Sequence, residues 1–302
     1  MSKKPNLFIA GAPKCGTHAL YYFLKSHPKV FMSDYKAPHH FDTDILIAKD
    51  QFLSEQQYLD LFKNAKDTEI YRGESNGWNF VSAVAAKNIK AYAPDARILI
   101  MLRNPFDAIP SMYHYNRLWL VEDQPTLEAA LRVEDDRAAG RNVPKFCNHP
   151  HRLLYSRMYR FSEQLPRYID AFGADRVHVI LHDDLKKDTL GVFNGAYDFL
   201  GLERIENPDF GVKNPTVVNR SQWVRELSLF PPAWLDGLNH IVMPSKKGRR
   251  FVQKVITKLN SKPLTNKTLS AEAKEMLMPV VAPQVEFLNQ FLGRDLSKWL
   301  KY

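Results

Sequence analysis

The first residues with chemistry to offer are Lys14, Cys15, Gly16, Thr17, His18 and Ala19, within the stretch LFIAGAPKCGTHAL at residues 7–20. Leu7 to Ala10 predicts a buried strand. Gly11, Ala12 and Pro13 break it, and Gly16 opens a helix through Tyr21, Leu24 and Lys25. A strand, a glycine-bearing loop and a helix start aim backbone N–H groups at one point, where the helix dipole adds positive potential. With Lys14 inside the loop, this makes a cradle for a phosphate or sulfate group. Gly11 and Gly16 fit the first half of an ATP-binding P-loop, but the Lys-Ser/Thr pair that should follow is Thr17-His18. The position that would offer a hydroxyl to magnesium is therefore His18. Taken alone, the stretch also fits a tight strand-to-helix turn holding no ligand. Cys15 fits either a thiol of lowered pKa or a small residue filling that turn.

A second anchor follows the unbroken apolar run Ile98 to Leu102, which suits a parallel strand buried on both faces. Arg103 ends that strand, and ligands of open α/β sheets bind beyond such ends. Pro105 then takes the first position of a helix, with Asp107 near its positive end. Ser111 stands eight residues past Arg103, two turns along that helix. A guanidinium grips a phosphate with two prongs and a hydroxyl supplements it. An arginine paired at a helix start and a helical serine without a ligand is the plainer alternative.

The elements that must position these groups alternate. Val30 to Met32 is a short extended piece, and the polar loop SDYKAPHHF carries two adjacent histidines. A helix is expected over 54–63, a strand over Glu69 to Arg72, a loop at GESNGWNF and a helix over 83–92. Residues 122–150 read as an insertion or lid with one helix near Leu127 to Arg137, and Leu153 to Phe172 as one long helix that Pro166 bends. Arg176 to Leu181 is another buried strand, and a helix to Leu200 is closed by Gly201. Val212 to Arg220 reads as a loop. Helices are expected over 223–230 and 251–259, with the basic run KKGRR at 246–250. A last helical face runs along Leu277, Val281, Val285, Leu288 and Leu292. Strand and helix in alternation predict an α/β fold, P-loop-like and three-layered, with a central parallel sheet flanked by helices. No Gly/Ser linker or repeat divides the chain, so a single domain over 1–302 is expected.

Composition narrows the class. The 302 residues are 45% hydrophobic and 25% charged, as in an ordinary globular protein. A net charge of +9, spread along the chain, favours anionic ligands without indicating nucleic acid. Two cysteines exclude a disulfide scaffold, and neither has zinc-ligand spacing. The N-terminus MSKKPNLFIA lacks a signal-peptide core, and no run approaches the ~20 apolar residues of a membrane span. A soluble, cytoplasmic protein without stable membrane insertion is expected.

PKCGTHAL, the Arg103/Ser111 pair within RNPFDAIPSMYHY and the tail GRDLSKWL together resemble the sulfotransferases that use 3′-phosphoadenosine 5′-phosphosulfate, in particular bacterial relatives of the carbohydrate and heparan-type enzymes. KAPHHF, GESNGWNF and LHDDLKKDTLGVFNGAYDFLGL support this, in family order over nearly the whole chain. The resemblance implies that Lys14, Gly16, Thr17, His18 and Ala19, with Cys15 in the same loop, hold the 5′-phosphosulfate. It implies that Arg103 and Ser111 hold the 3′-phosphate. It implies sulfuryl transfer without a metal, by in-line attack of an acceptor hydroxyl or amine, with Lys14 stabilising the leaving phosphate oxygen. Tyr159 is a candidate for the nucleotide, or a packing tyrosine. Lys213, Asn219 and Arg220 lie where relatives bring a late loop over the donor, and residues 205–270 are expected to cover donor and acceptor.

The chain departs from the family at the general base. Many relatives read KEPHFF and use the glutamate; here the stretch is Lys36-Ala37-Pro38-His39-His40-Phe41. His39 becomes the first candidate and His40 the second, since imidazole suits base work near neutrality. Both are otherwise loop histidines facing substrate or solvent. Ser75 stands where several relatives carry lysine. Glu74 either orients Lys14 or the acceptor, or forms a structural salt bridge. Asp183-Asp184 is expected to be structural, and Trp78, Trp119 and Trp223 line an acceptor pocket or pack. The acceptor is open among carbohydrate, lipid and small molecule, and oligomeric state is unread. Two other functions fit the residues: an ATP- and magnesium-dependent phosphotransferase, and a non-catalytic binder of anionic polysaccharide or nucleic acid.

Overall fold

The computed structural model describes residues 4–45, 52–147, 149–205, 217–232, 245–263 and 269–301; of Lys246, Lys247, Arg249, Arg250 and Phe251 only the backbone is described. Five parallel strands form one sheet in the order β2-β3-β1-β4-β5. These are β1 Leu7–Ile9, β2 Val30–Met32, β3 Tyr71–Ser75, β4 Arg97–Leu102 and β5 Val177–Leu181. Leu7 pairs with Gly73 on one side and Arg97 on the other, so β1 lies at the centre. All three β1 side chains are fully buried, as are Ile98 to Leu102 of β4. Helices flank the sheet, giving the α/β P-loop-like architecture expected.

Helix α1 (Thr17–Lys25) follows β1 through the loop and buries Leu20, Tyr21, Phe23 and Leu24. The helices α2 (Glu55–Asp60), α3 (Gly77–Val81), α4 (Ala85–Tyr92) and α5 (Pro105–Leu118) follow in order. Pro105 does take the first position of α5, where its missing N–H costs nothing, and Asn104 caps it by accepting from Phe106 N at 3.0 Å. In place of one helix near 127–137 there are two, α6 (Leu127–Arg132) and α7 (Glu134–Ala138). A buried bidentate pair pins them: Arg137 donates to both Glu122 carboxylate oxygens at 2.7 Å.

Three sequence expectations give way to tertiary structure. GESNGWNF is not a loop: Gly73 to Ser75 complete β3, and α3 begins at Gly77 under an Asn76 cap. The polar strand end is tolerated because its groups are bonded internally. Glu74 accepts from Tyr58 OH at 2.5 Å and Asn79 Nδ2 at 2.8 Å. The long helix expected from Leu153 begins only at Phe161 (α8, Phe161–Phe172), so Tyr159 precedes it. Tyr155 and Tyr159 are fully buried and anchor an irregular segment instead, Tyr155 donating to Glu122 at 2.8 Å and Tyr159 to Pro13 O at 2.9 Å. Within the expected Val212–Arg220 loop, Val217–Asn219 forms β6, antiparallel to β7 (Ser261–Pro263).

Beyond β5 come α9 (His182–Lys187) and α10 (Thr189–Leu200), the latter closed by Gly201 in the left-handed conformation. Then follow α11 (Gln222–Leu229), α12 (Lys246–Asn260) and α13 (Ala271–Leu292), which holds Pro279 and Pro283 and buries Leu277, Val281, Val285 and Leu288. KKGRR is the start of α12, and Lys213 lies outside the described residues. The C-terminal tail locks onto the strand ends. Arg294 grips Asp184 at 2.5 and 2.9 Å, and Trp299, buried, donates to Asp183 at 2.8 Å. Among the described residues no helix is long and apolar enough to cross a membrane.

Two substitutions test this frame. A Cβ on Gly11 would stand 2.7 Å from the backbone N and O of Met101, so G11A should cost ~1–3 kcal/mol or more, whereas Gly195 inside α10 meets nothing within 4 Å and G195A should gain up to ~1 kcal/mol. Denaturant midpoints that move the other way would contradict the packing. Burial pushes the Glu74 carboxyl up to about 7, against the opposing donors Tyr58 and Asn79. A raised folded-state pKa favours the native state below the ordinary carboxylate range, and that advantage is lost as pH climbs through about 7. Relative to E74Q, the wild type should therefore lose stability over that window, at up to ~1.4 kcal/mol per pH unit. Parallel melting curves across it would refute this.

Candidate active site

The loop between β1 and α1 is built by close approach. Gly11 lies against the Met101 backbone, and the Gly11 carbonyl is 2.9 Å from where a Cβ on Gly77 would sit. Lys14 (φ 65°) and Gly16 (φ 101°) both take the left-handed conformation. Glycine adopts it freely, whereas a lysine there stores strain. Gly16 is the N-cap of α1, with no side-chain cap and no acidic residue in the first turn. The first-turn amides are thus without a side-chain acceptor and face outward with the dipole.

Three predicted donor-site residues converge on this loop. Arg103 Nη1 donates to the Lys14 carbonyl at 3.2 Å, its Nη2 lies 3.5 Å from Asp107, and its buried Nε has no partner among the described residues. Tyr159, expected near the nucleotide, spends its hydroxyl on the Pro13 carbonyl and braces the loop. Burial, with Arg103 second, lowers the Lys14 pKa; its Nζ stands 4.6 Å over the Tyr115 ring. Cys15 is fully buried and its thiol is pushed up to about 12 by desolvation, which overturns the reactive-thiolate alternative and leaves the space-filling one. Thr17 opens α1 with its methyl against Gly11, and Ala19 packs on the core. His18 is exposed, its Nδ1 bonded to Lys36 Nζ at 2.8 Å. Ser111 sits half-buried on α5. Arg220 is exposed at the end of β6, tied to the backbone of Asn260 and Ser261.

The two histidines of KAPHHF have different surroundings. Ala37 (φ 51°) and His39 (φ 50°) turn this loop twice through the left-handed region, and Ala37 N is held by Ser75 O at 3.0 Å. The turn brings His39 Nδ1 to 2.7 Å from Asp42 Oδ2, which is fully buried; Asp42 Oδ1 accepts from Asn76 Nδ2 at 3.2 Å. Among the described residues Nε2 of His39 has no hydrogen-bond partner. His40 is stacked flat on Tyr58 at 4.0 Å, with Nε2 3.3 Å from Glu55. Burial lowers its pKa. Glu74, read as orienting Lys14 or the acceptor or as forming a salt bridge, makes no salt bridge among the described residues and lies in the buried network with Tyr58 and Asn79.

Four residues here were given no role by sequence. Asp42, three after His39, is its partner. Lys36 lies 4.0 and 4.4 Å over the Tyr21 and Tyr22 rings beside the first turn of α1, and burial brings its pKa down to about 8. His182 backs Gly16: its Cδ2 is 2.9 Å from a Cβ there, its buried Nδ1 has no partner among the described residues, and burial with Arg103 brings it to about 4. His149, buried with both ring nitrogens unpartnered among the described residues, contacts His39 at 5.7 Å and Trp78 at 4.4 Å. Trp78 follows Gly77, which packs on Gly11, so the loop and the His39 cluster share one wall. Asp42 was readable as an i+3 partner; the other three depend on contacts across elements.

The cradle fits an anion on observation: Arg103 Nε and His182 Nδ1 unpartnered among the described residues, an uncapped helix start and a glycine-lined floor. Among the described residues no group of three or more His, Cys, Asp or Glu is arranged to hold a metal.

Residues 4–209 match the family described as Sulfotransferase domain. Over 201 residues the chain is 28% identical to the bifunctional heparan sulfate N-deacetylase/N-sulfotransferase 1 of Mus musculus, covering 66% of this chain and 22% of that protein. Over 151 residues it is 29% identical to carbohydrate sulfotransferase 15 of Homo sapiens, covering 37% of this chain and 27% of the relative. The chain therefore spans about a fifth to a quarter of these relatives' lengths. A sulfotransferase from Alicyclobacillus acidocaldarius has the same fold, with a TM-score of 0.71 at 23% identity over 98% of each chain. With that domain matched over most of its length, the chain belongs to the sulfotransferase family.

Proposed function

We propose that the protein transfers a sulfuryl group from 3′-phosphoadenosine 5′-phosphosulfate to a hydroxyl or amine, without a metal. The observation that carries this is the pairing of two anion anchors at adjacent strand ends: the Lys14–Ala19 loop after β1 and Arg103 after β4, joined at 3.2 Å. The loop amides, Lys14 and His18 hold the 5′-phosphosulfate; Arg103 and Ser111 take the 3′-phosphate. Cys15 packs beneath, Tyr159 braces Pro13, and Arg220 stands with Asn219 on the later segment expected to cover the donor. Family membership favours sulfuryl over phosphoryl transfer and an enzyme over a mere anion binder, while the +9 charge suits either donor.

The chemistry needs one bond made and one broken. The acceptor oxygen or nitrogen bonds to sulfur as the bond from sulfur to the phosphate oxygen opens. Lys14, poorly solvated and close to that oxygen, offsets the growing negative charge. His39 Nε2 takes the acceptor proton, while Asp42 holds Nδ1–H and stabilises the imidazolium that forms. This assigns the base to His39 and gives His40, bound to Tyr58 and Glu55, a packing role.

K14A and R103A should each weaken 3′,5′-adenosine bisphosphate by ~1.5–3 kcal/mol in calorimetry with the fold intact; unchanged binding would sink the donor assignment. H39A should lower kcat by ~10²–10⁴ with bisphosphate affinity unchanged. D42N should lower kcat by ~10-fold or more with bisphosphate affinity unchanged, because the ring loses the carboxylate that holds its orientation and tautomer. Wild-type turnover in H39A or in D42N would transfer the base role elsewhere.

A further inference from the structure

We infer that the acceptor is a compact molecule with a flat apolar or aromatic body bearing an anionic group. This rests on the sulfuryl-transfer reading and concerns a cavity of about 630 Å³ walled by Tyr115, Trp119, Val121, Phe146, Leu229 and Phe230. That volume suits one small molecule. Its position is set from two sides. Tyr115 carries the Lys14 ammonium over its ring at 4.6 Å. Phe146 and Cys147, also in the wall, lead to His149, whose ring packs against His39. The cavity thus borders the loop lysine and, through His149, the base.

The walls favour flat apolar surface. Phe146 and Phe230 stack at 3.9 Å and 5°, fixing one face, and Trp119 is held by Arg225 at 4.6 Å from its ring. The charge around the cavity is one-sided. Arg152, a wall residue, lies 5.7 Å over Tyr115 and donates through Nε and Nη2 to the Asn116 amide oxygen, at 3.2 and 3.1 Å. Arg225, almost fully buried, donates to Leu118 O at 3.2 Å and Thr257 Oγ1 at 2.6 Å. Lys145 stands exposed on the rim. None of the three has a carboxylate partner among the described residues. Burial lowers the pKa of both arginines, as expected for cations bonded to neutral oxygens. Guanidinium groups desolvated without a counter-charge leave positive potential that a ligand anion offsets and a neutral ligand does not. Lys14 and Arg103 answer to the donor; Arg152 shares the Tyr115 ring with Lys14, and Arg225 contacts Trp119 of the acceptor wall.

The test uses 4-hydroxyphenylacetate and its methyl ester, titrated into the whole chain saturated with 3′,5′-adenosine bisphosphate. The acid should bind at least ~10-fold more tightly than the ester. R152Q should bring the two within ~2-fold, and W119A should weaken both by ~10-fold. Bisphosphate affinity within ~3-fold of wild type certifies each variant's fold. Should R152Q fail that check, K145Q, altering an exposed side chain, should cut the acid preference at least ~3-fold. Equal affinities for acid and ester in the wild type, an acid preference that survives both variants, or tighter binding of a de-N-sulfated heparin tetrasaccharide would overturn the acceptor assignment alone. A wild type that does not bind the bisphosphate overturns the sulfuryl-transfer reading and this inference with it.

Discussion

Everything in this molecule depends on two backbones packed so closely that not even a methyl group fits between them. Gly11 can follow β1 only because nothing stands between it and Met101 of β4. That contact sets the loop directly beside Arg103, which closes on the Lys14 carbonyl. Lys14 is then held in a left-handed turn, largely out of water, with a guanidinium as its nearest strong charge. Two desolvated cations held so close raise the free energy of the empty site. An anion relieves it, and the proposed polyanionic donor would supply several charges at once.

The same economy governs the neighbouring loop. Two left-handed residues, Ala37 and His39, cost strain that the surrounding bonds must offset. They are over-determined by the Ser75 carbonyl on one side and by Asp42 on the other. Asp42 is in turn fixed by Asn76, which also bonds Asn79 and so connects to the Glu74–Tyr58 pair. Where relatives carry a glutamate, this chain has alanine, and a histidine two positions on is oriented by a buried carboxylate. In the proposed function this substitution is a change of base rather than a loss of one.

The strand–loop–helix and the strand ending at Arg103 were legible in the sequence because both are local. A short apolar run, glycines at fixed spacing and a proline after a strand each carry their own structural cause. So do the α10 stop at Gly201 and the apolar face of α13. What was not legible depends on distant partners. Glu74 looks like a loop residue until Tyr58 and Asn79 satisfy it, and Tyr155 and Tyr159 look helical until Glu122 and Pro13 claim their hydroxyls. His182 and His149 acquire meaning only when the fold sets one behind Gly16 and the other against His39. Asp42 was within reach as a neighbour of His39, but nothing local says that it is buried.

The account stands on the claim that the two anchors are one nucleotide site with phosphate at both ends and no need of a metal. The most direct measurement is calorimetry on the wild-type protein in EDTA with 3′,5′-adenosine bisphosphate, then 5′-AMP, then ATP with excess magnesium. The account predicts that the bisphosphate binds in EDTA, and binds ~10-fold or more tightly than 5′-AMP, which leaves Arg103 without its phosphate. Magnesium-dependent ATP binding that exceeds the bisphosphate, or no penalty for losing the 3′-phosphate, would contradict it.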